Sequence, residues 1–151
     1  MVSDKKKLFL VAESERNNID RKVIVWLNKF PERPDGTITT ESHIPVDESG
    51  MALSANTNAY ISKRYICGGY QAEYQFTVIY RIKPGNSMDK SLKANELLNR
   101  LGEWAMQNKP DLGKGISVLE VAQISQAELY TPYENGDEDH HMMMRITYEV
   151  I

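Results

Sequence analysis

A single cysteine, Cys67, stands in a chain of 151 residues, so neither an internal disulfide nor a zinc site of several cysteines is open to it. Long apolar runs are missing too, and nothing approaches the roughly 18 consecutive apolar residues that span a bilayer. The basic start, with Lys5, Lys6 and Lys7, mimics a secretion signal, but the apolar stretch from Leu8 to Ala12 is too short and runs into Glu13. The expectation is a soluble chain with no membrane partner and no export by such a signal. Charge of one sign is not in excess either. Eighteen basic residues face 21 acidic ones, a net of −3, which gives no bulk footprint for nucleic acid and leaves room only for a local basic patch.

Catalytic signatures are also lacking: there is no P-loop, dinucleotide fingerprint, nucleophile elbow or metalloprotease helix. Gly113, Lys114 and Gly115 are too short a run to cradle a phosphate and read as a turn. His140 and His141, beside Glu138 and Asp139, are the one cluster of metal-binding residue types. Neighbours on a strand point to opposite faces, so one ion would not collect both imidazoles, and the run reads as a polar loop entering a strand. A metal-dependent enzyme built there is the alternative. His43 stands alone in a polar stretch. Cys67 would need a base and a thiolate-stabilising setting, and although Lys63 and Arg64 are near, no histidine is close in sequence. No enzyme, cofactor or metal is expected.

What is present is periodic. Ile19, Val23, Trp26, Leu27 and Phe30 recur on one helical face, with Asn17 or Asn18 as cap, Pro31 as stop and residues 1–16 as an N-terminal extension. Ala94, Leu97, Leu98, Leu101, Trp104 and Ala105 mark a second helix between a Ser87 cap and Lys109-Pro110. Gly102 inside it costs about 1 kcal/mol relative to alanine, which points to a close packing contact. Residues 31–58 read as a long loop holding one short strand near Gly36 to Ile44.

Strict alternation from Tyr70 to Ile82 marks the clearest strand, apolar at even positions and mostly polar at odd ones. Its length of over ~40 Å suits a protruding hairpin or a sheet shared between subunits. Residues 59–66 precede it as another strand, with Cys67, Gly68 and Gly69 as the turn. Residues 116–130 are β-rich, with alternation broken at Val118-Leu119 by burial on both faces or a bulge. Met142, Met144, Ile146, Tyr148 and Val150 define a last strand, leaving Met143 on the opposite face to meet a partner. The acidic run containing Glu134, Asp137, Glu138 and Asp139 reads as a solvated hairpin loop, or else as an acidic lining of a passage. The whole predicts one α+β domain over 1–151: a mixed or antiparallel sheet with two helices packed on one face.

Three stretches, in this order, resemble the phage minor capsid family that includes the tail-terminator, or tail-completion, proteins of long-tailed bacteriophages. They are Lys63 to Phe76, read as strand–turn–strand; Leu97 to Ala105, a helix ending in tryptophan; and Pro110 to Gly115 followed by a β segment and Arg145 to Glu149. Together they cover about residues 58–151. The departures are the N-terminal extension and Cys67, where the family often carries a polar residue.

The resemblance implies a lambda-type terminator subunit that forms a ring, a hexamer, caps the tail tube and meets the head–tail connector protein. It implies no cofactor and no catalytic residue, a place in the virion after assembly in the host bacterial cytoplasm, and DNA only passing through the lumen. A minor capsid or head-completion (stopper) protein is the alternative. The expected contact between copies is the hairpin carrying Lys63, Arg64, Tyr65, Gly68, Gly69, Tyr70 and Tyr74, which could extend a sheet across subunits.

Overall fold

The computed structural model describes residues 10–33, 38–40, 50–54, 56–85 and 87–151. Two 13-residue strands form its axis: β4 (Tyr70–Ile82) and β7 (Glu138–Val150) pair antiparallel from Tyr70 opposite Val150 to Ile82 opposite Glu138. Shorter strands share their outer flanks. β2 (Gly50–Leu53) and β3 (Asn58–Arg64) lie end to end along β4, while β5 (Ile116–Gln123) and β6 (Glu128–Pro132) lie end to end along β7. β1 (Thr39–Thr40) runs parallel to β2, so the sheet is mixed. With α1 (Glu13–Leu27) and α2 (Met88–Gln107) the fold is α+β, as the sequence predicts.

Alternation does the sorting. Ala72, Tyr74, Phe76 and Val78 of β4 meet Tyr148, Ile146, Met144 and Met142 of β7, and all eight are buried. Each large apolar side chain removed from water in this way contributes about 1.5–3 kcal/mol. Both helices cover this face. α1 brings Ile19, Val23, Trp26 and Leu27, and α2 brings Ala94, Leu98, Leu101 and Ala105. Trp26 stacks on Trp104 with centroids 5.7 Å apart and meets Phe76 edge-on at 6.5 Å. Its indole N–H donates to the Asn108 carbonyl at 2.6 Å, so a buried polar group is satisfied.

Polar contacts fix where α1 sits. Glu15 accepts from the Tyr70 hydroxyl at 2.5 Å and from the Tyr148 hydroxyl at 3.0 Å, and Asp20 accepts from the Tyr74 hydroxyl. These contacts explain why the helix starts earlier than expected. Asn17 and Asn18 lie inside it, and Ala12 occupies the N-cap without a side-chain bond. The acidic Glu13 and Glu15 of the first turn complement the positive end of the helix dipole instead. The extension is shorter by the same shift. Leu10 bridges Tyr60, the Val11 N–H donates to the Ala59 carbonyl at 3.2 Å, and residues 1–9 lie outside the described residues.

The stop at Pro31 is also anticipated by the chain, because α1 gives way at Asn28. That side chain donates to the Ile24 and Ile38 carbonyls and accepts from the Ile38 N–H, tying the helix end to the start of β1. The short strand expected within Gly36 to Ile44 is β1, whereas β2 falls in what reads as loop. His43 lies outside the described residues. Ser87 caps α2 by accepting from the Lys90 N–H at 3.3 Å. The break at Val118-Leu119 is a bulge: the register with β7 shifts between Val118 and Glu120.

Gly102 is buried beneath β5 and β7. A Cβ there would lie 3.0 Å from the Met142 sulfur and would overlap the Gln123 side-chain amide. Gln123 is not free to yield, since it donates to Asn99 and to the Ser125 carbonyl. Gly102→Val is expected to cost about 1–3 kcal/mol by overpacking, read as a lower urea midpoint at unchanged slope.

Burial first, and the neighbouring carboxylate next, raise the pKa of Tyr70, Tyr74 and Tyr148 above the ordinary 10.0. A raised folded-state value gives stability that is complete below pH 10 and is lost as the pH climbs above it. Alkaline unfolding should therefore begin above pH 10, with tyrosinate absorbance rising together with loss of helix. In the Tyr74→Phe, Tyr148→Phe double variant the slope of stability against pH should be shallower.

Candidate functional site

The β3–β4 turn is built by its own backbone. The Tyr65 N–H donates to the Gly69 carbonyl at 2.8 Å and the Gly68 N–H to the Tyr65 carbonyl at 3.2 Å. Gly68 has φ +105°, a conformation that glycine adopts without strain. Gly69 is needed for a different reason: a Cβ there would run into the Val150 carbonyl oxygen. Because Tyr70 is level with Val150, the two strands do not stand clear of the sheet as an arm, and only the turn extends beyond its end.

The expected contact residues separate accordingly. Lys63 and Arg64 are exposed, and the Lys63 ammonium lies 5.8 Å from the Tyr65 ring. Tyr65 is half-buried and donates to Glu149 at 3.1 Å. Tyr70 is half-buried and occupied with Glu15, while Tyr74 is completely buried with Asp20 and so leaves the contact surface. Ile66, which sequence reasoning passed over, is fully exposed at the tip beside the exposed Cys67. Its signal was available: an isoleucine placed inside a glycine turn has no core to enter.

On the opposite flank the β5–β6 edge exposes Leu119, Ile124, Leu129 and Tyr130, with Met106 of α2 beside them. A notch of about 330 Å³ lined by Met106, Gln123, Ile124, Ser125 and Gln126 lies there. Sequence reading assigned Ile124 and Leu119 to a β segment but could not tell an exposed edge from a buried one. Met143, expected on the outer face, is exposed there as predicted. Much of the rest of the face away from the helices is polar, with Gln71, Glu73, Gln75 and Thr77 of β4 opposite Glu149, Thr147, Arg145 and Met143 of β7, and the buried Ile79 as an apolar exception.

Three of the four acidic-loop carboxylates are engaged within the chain. Asp139 is 3% exposed and receives two bonds from Arg81, at 2.8 and 3.0 Å, and one from the Tyr133 hydroxyl at 2.6 Å. Asp137 is buried in the turn, accepting from the Asn135 side chain at 3.1 Å. Glu138 accepts from Ser91 at 2.5 Å, and Glu134 alone of the four is exposed. The loop reading of Glu138 and Asp139 gives way to strand, because cross-strand pairing of Arg81 with Asp139 carries β7 to its full length.

His140 and His141 point to opposite faces. His140 is buried with its ring nitrogens 2.7 Å from Asn95 Oδ1 and 3.0 Å from Glu138 Oε1, whereas His141 stacks on Tyr130 and lies 3.0 Å from Glu128. Among the described residues no three histidine, cysteine or carboxylate side chains are grouped to hold a metal ion. No described helix is long and apolar enough to cross a membrane.

A mixed sheet with a long antiparallel pair at its centre and two helices on one face defines the class of fold. No family model matches the sequence, and no curated protein matches it. Among solved structures, a chain from the virion of a native gene transfer agent (GTA) particle shares the fold, with a TM-score of 0.54 and 11% identity. The match covers 74% of this chain and 78% of that one. A second solved chain is 13% identical over 93% of this chain and 96% of its own, with a TM-score of 0.49, too distant to bear on the argument.

Replacing Arg81 by methionine leaves Asp139 buried with Tyr133 as its one side-chain donor among the described residues. The loss should be about 2–4 kcal/mol by urea unfolding, as expected when one partner of a buried pair is removed. The Ser91 hydroxyl, and then His140, hold Glu138 below its ordinary pKa of 4.5. A depressed value gives stability that is present above pH 4.5 and lost as pH falls through the folded value. Glu138→Gln should therefore lower the melting temperature above pH 4.5 and flatten its decline below that pH, so that variant and parent converge in acid.

Proposed function

We propose that this chain is a structural protein of a tailed-phage-like virion, a ring-forming subunit of the tail-terminator type that caps a tail tube and meets a head–tail connector. The carrying observation is the shared fold with a chain of a gene transfer agent virion. It agrees in direction with the order of the Lys63–Phe76, Leu97–Ala105 and Arg145–Glu149 stretches. The described surface adds two apolar features on opposite flanks of the sheet, the Ile66 tip and the Met106–Ile124 notch.

Different patches on opposite flanks make a head-to-tail contact, which repeats into a ring when its rotation closes. A stable contact of this kind should bury on the order of 1,000 Å² or more. A head-completion protein is the second reading, and the partner separates the two: purified tail tubes retain a terminator, connector rings retain a stopper.

Light scattering across a concentration series, with and without tube protein, tests the proposal. A discrete multiple of the monomer mass, formed alone or on the tube, is expected. A chain that stays monomeric and binds neither tube nor connector overturns it. Ile66→Asp should weaken assembly at least tenfold, about 1.4 kcal/mol, with an unchanged melting temperature because the tip packs against nothing within its own chain.

A further inference from the structure

The exposed side of α1 is basic. Arg21 and Lys22 are exposed on it, Lys29 is exposed in the turn just past its end, and, among the described residues, none of the three makes an ion pair. The positive charge does not follow from composition, since the whole chain carries a net −3. It does not follow from helix-dipole compensation either, because Arg21 and Lys22 sit in the middle of α1. These side chains line one wall of a groove of about 660 Å³, whose other wall is the segment after α2, including Lys109. Trp26 and Trp104 form its floor, and Val25, 63% exposed, projects from the basic wall.

The lining therefore combines cations with an apolar floor. Among the described residues Asp111 is its one carboxylate, and it is already turned to the Gly113 N–H at 2.9 Å. We infer that this α1–α2 groove binds an acidic polypeptide segment of a partner protein, with carboxylates on Arg21, Lys22 and Lys29 and an apolar side chain against Val25 and Trp104. A nucleic-acid duplex fits less well. It presents phosphates on a broad rod and gains nothing from an apolar floor recessed between a helix and a loop, while the net negative charge of the chain repels it. The inference is independent of ring formation, because the groove lies on the helix layer and not on the sheet flanks.

The chain supplies its own reporter, since its two tryptophans are the two in the groove. The full chain is titrated with a short peptide of alternating glutamate and leucine, with a lysine–leucine peptide and a duplex DNA as the other arms, following tryptophan fluorescence. A saturable change with the acidic peptide alone is expected, weakening steeply with salt. In the Lys22→Glu, Lys29→Glu variant the dissociation constant should rise at least tenfold while circular dichroism and the melting temperature stay put, because both side chains are exposed. No saturable change, an equal affinity in the double variant, or tighter binding of DNA than of the acidic peptide overturns the inference.

Discussion

The antiparallel pairing of β4 with β7 is the constraint on which the rest of the molecule depends. Thirteen-residue strands in unbroken register put one continuous row of Tyr74, Phe76, Val78, Met142, Met144 and Ile146 under the helices. Each backbone hydrogen bond adds only about 0.5–1.5 kcal/mol net, so the ladder is not held by those bonds alone. It is held by what a slip would do. Moving either strand by one residue would turn its apolar row to the polar face and its Gln, Glu and Arg residues into the core. The bidentate Arg81–Asp139 pair and the close approach of Gly69 to the Val150 carbonyl lock that register near the two ends.

That register then positions α1. Tyr70 and Tyr74 of β4 and Tyr148 of β7 project hydroxyls from the same face, and two carboxylates one and a half turns apart on α1, Glu15 and Asp20, receive all three. Hydroxyl–carboxylate bonds are directional, whereas the apolar packing of Ile19 and Val23 would tolerate a rotation of the helix. The same contacts that bury one side of α1 therefore decide which side faces outward. That outward side carries Arg21, Lys22 and Val25, with Lys29 in the turn just past its end. A structural choice inside the core thus determines the character of the groove outside it.

Much of this was legible in the residues, for reasons that differ by element. β4 was readable to the residue because a period of two sustained over 13 positions has no helical competitor. Ser87 and Gly102 were readable because a cap and an interior glycine each have one cheap explanation. The start of α1 was not, since its first turn is held by tertiary bonds to tyrosines more than fifty residues away, and local signals favoured Asn17 or Asn18. β2 is four residues long, too short to show a period. The contact residues were legible only as a region. Tyr70 and Tyr74 carry the same alternation that marks core, and nothing in the sequence separates a tyrosine that meets a neighbour from one that meets Asp20. The groove was invisible because its cations come from α1, the turn after it and the segment after α2, and its floor from two helices whose tryptophans are about eighty residues apart.

The edges bear on how copies can meet. Three of the four strands that flank the central pair carry an irregularity, β3 between Ile61 and Lys63, β5 between Val118 and Glu120, and β6 between Leu129 and Thr131, while β2 pairs without one. Bulges twist an edge and interrupt the row of amide and carbonyl groups that a new strand would need, which is how sheets resist open-ended pairing. At β5 and β6 the bulge falls at Leu119 and Tyr130, two of the exposed apolar side chains on that flank. Backbone extension of the sheet from one copy to the next is therefore poorly served by these edges, and side-chain packing is well served. A tip such as Ile66 seated in a notch such as that of Met106 and Ile124 selects one partner geometry, where a bare strand edge would accept any. For the ring proposed above, blunted edges carrying specific apolar contacts would favour closure over growth into a fibre.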